Sequence, residues 1–460
     1  MTTASFTTLP LAAAFLDNLK SLDYHTMTPI QAQGLPVILT NKDVKGQAKT
    51  GSGKTAAFGI GLLHKLDPLN YQTQALVLCP TRELADQVSN EIRRLARAIP
   101  NTKMVTLCGG KPMAPQLASL EHEPHIVVGT PGRILKHLEK GTLKLSAVQT
   151  LVLDEADRML DMGFHDDIMR IIDKTPSQRQ TLLFSATYPV AIKAISQRIQ
   201  NDPIDIHVES MHDNSKIEQI FFEIASNQRM DALINLLHHY QPQTSVVFCN
   251  RKQQCQEVSD ALTGQGFHAQ ALHGDLEQKE RDQVLVQFSN RSSSILVATD
   301  VAARGIDIKE LAAVIIYEIS PDPEVHIHRI GRTGRADKEG LALSLFMASE
   351  ASKVNAIEKY QAKPVTIEKL SSLKHKGNID LVPPMISLRI GGGRKNKISA
   401  GDILGALTAG KKLNGKQIGK INLFDNVTFV AVERTIAPQA LTILSDGKIK
   451  GRKYRVHKLS

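Results

Sequence analysis

Thr150-Leu151-Val152-Leu153-Asp154-Glu155-Ala156-Asp157 decides the fold, because four apolar or β-branched residues run straight into three carboxylates. An uninterrupted apolar run of that length reads as a strand buried on both faces, as in a parallel sheet. Upstream lies Ala48-Lys49-Thr50-Gly51-Ser52-Gly53-Lys54-Thr55. In such a loop Gly51 and Gly53 let backbone N–H groups approach phosphate oxygens, and Lys54 reaches the β and γ groups. Thr55 offers a hydroxyl to Mg²⁺. The position that usually holds the first glycine is Ala48. Asp154 is the matching carboxylate for Mg²⁺, acting through water since this ion keeps several waters of its own. Glu155 is placed to orient or deprotonate an attacking water. Loop and acidic strand end together imply nucleoside triphosphate hydrolysis.

Working outward, short β-rich apolar runs alternate with helical stretches. They are Ala75–Cys79, Ile126–Val128, Thr150–Leu153 and Thr181–Phe184, then Ser245–Cys249, Ser294–Ala298 and Ala313–Tyr317. The two series echo one another. Leu78-Cys79-Pro80-Thr81-Arg82 parallels Phe248-Cys249-Asn250-Arg251, and Val127-Val128-Gly129-Thr130 parallels Val297-Ala298-Thr299-Asp300. The expected fold class is therefore α/β, with two tandem parallel-sheet lobes over residues 1–205 and 206–365 joined near 201–215. Residues 366–384 read as a polar, Pro-containing linker. Residues 385–460 follow the order β-α-β-β-α-β of a small ferredoxin-like, RRM-type α+β domain, with a capping box at Ser399–Asp402.

Charge is concentrated in that last domain. The chain carries +10 overall, and residues 380–460 hold 15 Lys and Arg against 5 Asp and Glu, which accounts for all of it. A small basic module of this kind addresses a polyanion, most often nucleic acid. The four cysteines, Cys79, Cys108, Cys249 and Cys255, form no CxxC pair, so a zinc ribbon or disulfide framework is not expected and a reducing compartment is. No signal peptide and no membrane-spanning run are expected.

Further motifs extend the pattern: Thr28-Pro29-Ile30-Gln31, Pro80-Thr81-Arg82-Glu83-Leu84-Ala85, Gly109-Gly110, Thr130-Pro131-Gly132-Arg133 and Ser185-Ala186-Thr187 in the first lobe. The second lobe adds His273-Gly274-Asp275, Ala298-Thr299-Asp300 through Asp307, and His328-Arg329-Ile330-Gly331-Arg332-Thr333-Gly334-Arg335. With these in order, residues 5–365 resemble the DEAD-box RNA helicases, whose two lobes are RecA-like. The resemblance implies ATP and Mg²⁺ as cofactors and gives each motif a role. Gln31 would pair with adenine through its amide, as that group does when it reads the base elsewhere. Tyr24 and Phe6 either pack around the base or belong to the core. Asp307 would bond the ribose. Arg332 and Arg335 match arginine fingers, worth about 10³–10⁵ in rate. Asp157, Ser185, Thr187 and His328 match the set that couples the γ-phosphate to lobe closure. Arg82, Gly110, Thr130 and Arg133, with Gly274, Arg281, Thr299 and Asp300, match positions that hold RNA phosphates and riboses. Such contacts carry no sequence information, and the 2′-OH would distinguish RNA from DNA.

The tail narrows the resemblance. Ile390-Gly391-Gly392-Gly393-Arg394-Lys395-Asn396-Lys397, Asp402 to Leu407, Gly419-Lys420-Ile421 and Gly447-Lys448-Ile449-Lys450-Gly451 are similar to the DbpA subfamily. That bacterial subfamily's extra domain recognises a 23S rRNA hairpin, which implies action on pre-50S particles in the cytoplasm. An RRM usually stacks bases on aromatics of its third strand. The equivalent stretch, Asp425 to Val432, keeps only Phe429, so a stacking platform is not expected. Arg394, Lys395 and Lys397, with Lys448, Lys450, Arg452, Lys453 and Arg455, are the expected contacts to structured RNA. Lys453, Arg455 and His457 would share one face of the last strand. A monomer is expected. The competing readings are an RNA clamp that uses ATP only to gate binding, and a DNA translocase.

Overall fold

The computed structural model describes residues 4–48, 51–208, 217–303, 311–334, 340–374, 381–409 and 413–459. It forms two compact units, Met1–Met211 and His212–Ser460.

The first unit is one parallel sheet of seven strands: β1 (Val44–Gln47), β2 (Ala75–Leu78), β3 (Met104–Leu107), β4 (Ile126–Gly129), β5 (Thr150–Asp154), β6 (Gln180–Ser185) and β7 (Ile204–His207). Their order is β3-β4-β2-β5-β6-β1-β7. Helices cover both faces, so alternate residues of each central strand enter different cores. Val77, Val128, Val152 and Leu182 pack on one face, and Leu76, Leu78, Val127, Leu151 and Leu153 on the other. Two-sided burial explains why these strands read as continuous apolar runs.

The second unit begins with the same architecture: β8 (Ile217–Ile224), β9 (Ser245–Cys249), β10 (Ala269–Leu272), β11 (Ile295–Thr299), β12 (Ala313–Ile316), β13 (Gly340–Met347) and β14 (Thr366–Glu368). The order β10-β11-β9-β12-β13-β8-β14 repeats that of the first sheet strand for strand. The echo between the two motif series is thus a duplicated topology.

Two boundaries differ from the sequence reading. β7 spans residues 204–207 and pairs with β1, so the join between lobes falls after 205, beyond the first sheet's edge. Among its described residues, the stretch 366–384 is not a free linker. Thr366–Glu368 pairs with β8 as the edge strand of the second sheet, and Leu370, Leu373 and Leu381 pack on its core. Edge strands this short, exposed on their outer side, have too few residues to display a periodicity.

The C-terminal domain has β15 (Met385–Ile390), β16 (Ile418–Leu423), β17 (Thr428–Glu433) and β18 (Val456–Lys458) in the antiparallel order β16-β17-β15-β18. The helices Ala400–Thr408 and Ala437–Asp446 cover one face only, over Ile386, Leu388, Ile390, Val430 and Val432. The expected capping box is present, with Ser399 and Asp402 exchanging backbone-to-side-chain bonds of 2.8 and 3.3 Å. All four cysteines are buried thiols without disulfides.

Candidate active site

The phosphate loop leaves the carboxyl end of β1 and turns into the helix Lys54–His64, whose N-cap is Gly53 in the left-handed region at φ 96°. A Cβ at Gly53 would stand 2.5 Å from Gln31 Nε2 and 2.8 Å from Thr28 Oγ1, so this close approach admits only glycine. Gln31 is buried at the start of the helix Pro29–Leu39. Its Oε1 accepts from Thr28 N–H at 2.9 Å, and its Nε2 donates to Gly53 O at 3.1 Å. One amide hydrogen and one lone pair remain for a base edge. Tyr24 donates to Glu91 Oε1 and meets Phe6 edge-on at 6.1 Å. Both aromatics pack on the lobe core. Lys49 and Thr50 lie outside the described residues.

Lys54 and Asp154 are 5% and 3% exposed, and neither the Lys54 ammonium nor Asp154 Oδ1 has a hydrogen-bond partner. Ser52 Oγ is in the same condition. Burial pushes the Asp154 carboxyl up to about 6, against the pull of the Lys54 cation. A buried ammonium and carboxylate left with bonding capacity beside a Gly-rich loop fit a polyphosphate with its cation. Among the described residues no three His, Cys, Asp or Glu side chains gather as a metal cage. Thr55 stands half-buried at the helix start.

Glu155 adopts φ 54°, ψ 53°, a left-handed conformation for a non-glycine residue. Such strain costs roughly 1–3 kcal/mol and clusters at functional sites. Its carboxylate accepts from Arg158 Nη1 at 2.8 Å, with both side chains under 10% exposed. The sequence reading passed over Arg158. Its signal was an Arg three residues after Glu155, hence on the same helical face.

The first-lobe residues expected to couple the γ-phosphate to closure are directly bonded to one another. Asp157 Oδ2 accepts from the Thr187 N–H and hydroxyl at 2.9 and 3.0 Å, and Asp157 N–H donates to Ser185 Oγ at 3.2 Å. Ala48 N–H donates to Ser185 O at 3.1 Å, tying the phosphate loop to the same strand end.

Arg82, Gly110, Thr130 and Arg133 converge beyond the carboxyl ends of β2, β3 and β4, where open α/β sheets bind ligands. Gly110 has φ 69°, and a Cβ there would lie 1.7 Å from Arg82 Nη1. Arg133 Nη2 donates to Lys111 O at 3.0 Å, while its Nη1 is buried without a partner. Burial and the neighbouring Arg82 charge lower the Arg133 pKa.

In the second lobe Thr299 and Asp300 follow β11, and Gly274 has open space where a Cβ would be. Arg281 is half-buried on the helix Gln278–Ser289. Asp300 is chelated by Arg329, through Nε at 2.8 Å and Nη2 at 2.6 Å. Arg329 also donates to Asn250 Oδ1 and Glu318 O, and it is 2% exposed. This clamp was absent from the sequence reading, which gave Arg329 no role. Arg332 is buried at the end of the helix Pro323–Ile330. His328 lies 3.9 Å from Glu324. Asp307 and Arg335 lie outside the described residues.

Residues 28–195 match the DEAD/DEAH box helicase family and residues 228–337 the helicase conserved C-terminal domain. Residues 387–458 match the DbpA RNA binding domain. The chain is 54% identical over 456 residues to the ATP-dependent RNA helicase DbpA of Escherichia coli, covering 99% of both. It belongs to the DEAD-box ATP-dependent RNA helicases, in the DbpA subfamily. The helicase is 43% identical over 357 residues to the DEAD-box ATP-dependent RNA helicase CshA of Bacillus subtilis, across 77% of this chain and 72% of that one. Among solved structures, Saccharomyces cerevisiae Dbp5 bound to RNA and ADP BeF3 superposes with a TM-score of 0.73 at 29% identity, over 80% of this chain and 96% of that one.

The helicase's two C-terminal basic runs, far apart in sequence, share one end of the RNA-binding domain. Lys450 Nζ donates to Lys397 O at 2.8 Å, and Gly391 N–H donates to Arg455 O at 2.8 Å. Arg394, Lys395, Lys397, Lys448, Arg452, Lys453 and Arg455 are exposed around this junction. Lys450 is exposed too, but it also lies 3.9 Å from Asp402, which partly offsets its charge. Lys453, Arg455 and His457 point outward between the inward Tyr454 and Val456, as alternation requires, although β18 begins only at Val456. Phe429 is 4% exposed and packed edge-on against Phe424, so it offers no face to a base.

Proposed function

We propose that this helicase opens short duplexes in 23S rRNA within pre-50S particles of the cytoplasm, acting as a monomer whose C-terminal domain supplies the address. The observation that carries this reading is the convergence of the Arg394–Lys397 and Lys448–Arg455 runs into one basic end. A polyanion is bound there by charge rather than by stacking.

Hydrolysis is assigned as follows. Backbone N–H groups of the loop and Lys54 hold the phosphates. Thr55 and Asp154 would hold Mg²⁺, which supplies charge neutralisation on the phosphoryl oxygens when bound. Glu155 takes up the proton of the attacking water. Arg158 fixes the direction of that carboxylate. Arg332 and Arg335 come from the second lobe, so turnover requires closure. Gln31 joins adenine to the phosphate loop through Gly53 O, which favours ATP over GTP, and Asp307 contacts the ribose.

The coupling set is Asp157, Ser185, Thr187 and His328. RNA is gripped along its backbone by Arg82, Gly110, Thr130 and Arg133, and by Gly274, Arg281, Thr299 and Asp300. The test is ATPase activity against 23S fragments, poly-uridine and tRNA, with and without residues 380–460. Strong stimulation by one 23S fragment, lost on truncation, is expected. Equal stimulation by every RNA overturns the ribosomal address.

A further inference from the structure

Two helices of the first lobe each bury a polar side chain that the reaction as assigned does not use. The helix Met113–Leu120 buries Gln116 along with Leu120, and the helix Pro131–Glu139 buries His137 along with Ile134 and Leu135. Gln116 and His137 are 6% and 0% exposed. Gln116 Nε2 donates to Cys108 O at 3.1 Å, and Gln116 Oε1 lies 3.3 Å from His137 Nε2. His137 Nδ1 is 2.9 Å from the Thr142 hydroxyl, which also reaches His137 O at 3.1 Å.

The direction of each bond follows from the groups involved. A carbonyl oxygen only accepts, so Gln116 turns its amide nitrogen to Cys108 and its oxygen to His137. His137 then carries its proton on Nε2, and Nδ1 accepts from Thr142. Burial and the Arg133 and Lys140 charges lower the His137 pKa, which favours that neutral ring.

Cys108 directly precedes Gly109-Gly110. Arg133 lies four residues before His137, hence on the same helical face, and its Nη2 donates to Lys111 O at 3.0 Å. One helix face therefore holds both ends of the turn, Lys111 directly and Cys108 through Gln116. In a trans peptide the N–H points opposite to the C=O. With Cys108 O drawn inward, the Gly109 N–H is turned outward. Neither the Gly109 nor the Gly110 N–H has a hydrogen-bond partner among the described residues. Successive free N–H groups in such a turn suit an anion.

We propose that Gln116 and His137 are positioning residues for RNA: they hold the Cys108–Lys111 turn so that its N–H groups and the Arg82 and Arg133 guanidiniums serve one run of phosphates. This rests on the assignment of Arg82, Gly110, Thr130 and Arg133 to RNA. Packing alone does not call for the pair, because apolar side chains of the same shape would join these helices with no polar group to desolvate. Apolar side chains would not fix the Cys108 carbonyl, which if turned outward sets the negative end of its dipole against the phosphates.

The experiment uses the full chain. Affinity for labelled single-stranded RNA is read with a non-hydrolysable ATP analogue across a salt series, alongside RNA-stimulated ATPase activity. Gln116→Met keeps the length of the side chain and loses both bonds. Affinity should fall about tenfold, as expected for a buried acceptor left unpaired. The apparent KM for RNA should rise by the same factor, with kcat at saturating RNA within about twofold. The salt slope should not change, because every cationic contact is still present. His137→Gln keeps a donor near the Nε2 position and should stay within about twofold of the unmodified chain. His137→Asn, whose shorter amide matches only Nδ1, should lose about threefold or more.

A Gln116→Met chain that melts earlier but binds RNA unchanged would overturn the proposal and leave the pair a packing feature. Equal losses in His137→Gln and His137→Asn would do the same, and this comparison decides the matter if Gln116→Met does not fold. Arg133→Met tests the underlying reading, and should lower both the affinity and, by about 0.7, the salt slope. No change in either removes the RNA assignment itself. A change in both, with Gln116→Met unaffected, removes only the positioning role.

Discussion

Adjacent glycines give opposite expectations. At Gly110 a Cβ would sit 1.7 Å from Arg82 Nη1 and 2.2 Å from its Cζ, on a backbone at φ 69°. At Gly109 the nearest atom to a Cβ is Arg82 Nη2, at 3.9 Å. Gly110→Ala therefore meets two costs. The left-handed backbone costs roughly 1–2 kcal/mol with a side chain, seen as lost stability. The guanidinium must also swing away from the position in which the proposed reading has it hold an RNA phosphate. A charge-assisted hydrogen bond is worth about 1.5–3 kcal/mol, or roughly 10–150-fold in affinity. One phosphate contact fewer should lower the log–log salt slope for single-stranded RNA by about 0.7. The assay is fluorescence anisotropy of labelled single-stranded RNA with a non-hydrolysable ATP analogue, across a salt series. Gly109→Ala should match the unmodified chain, and nucleotide affinity without RNA should be unchanged in both. Equal effects from the two substitutions, or an unaltered slope in Gly110→Ala, would refute Arg82 as a phosphate contact held by Gly110.

Arg329→Met should destabilise the second lobe by about 3–5 kcal/mol, the usual cost of breaking a buried pair. A double-mutant cycle with Asp300→Asn, read by hydrogen exchange in β11 and β12, should assign most of that to the 2.6 and 2.8 Å bonds; additive effects would count against it. Arg158→Ala should cut RNA-stimulated kcat about tenfold or more, a share of the 10²–10⁴ a positioned base supplies. It should do no further harm in Glu155→Gln, and independent losses would separate the two residues.

Asp154, raised to about 6 by burial, is more easily protonated in the fold than in the unfolded chain. Its contribution to stability is full below its ordinary value of 3.8 and lost as pH rises through about 6. Nucleotide binding that needs the carboxylate should accordingly weaken as pH falls below about 6, beyond any change seen in Asp154→Asn. Parallel pH profiles for the two proteins would exclude Asp154 as the titrating group.

The sequence by itself determined the phosphate loop, the acidic strand end, the two echoing lobes and the βαββαβ tail. Each depends on residue types at short fixed spacing: glycines at a turn, carboxylates after a buried strand, a Ser–Asp cap on a helix. Parallel strands buried on both faces announce themselves as apolar runs whatever surrounds them. Short, exposed edge strands such as β7 and β14 do not, so 366–384 reads as a linker, and β1, β3, β8, β10 and β13 also lie outside the seven runs legible in the sequence, interior though β1, β8 and β13 are. Tertiary structure alone decided what joins distant positions. Asp157 meets Ser185 and Thr187 across 28 and 30 residues. Arg329 closes on Asp300 across 29, and the basic runs meet across 53. Ser387 reads as an outward polar residue of an amphipathic strand. Only the fold brings the Ser289–Ser292 loop over it and turns a solvent face into a joint. Periodicity records which side of an element is apolar, whereas the partner of a polar side chain is set by how the chain returns to it.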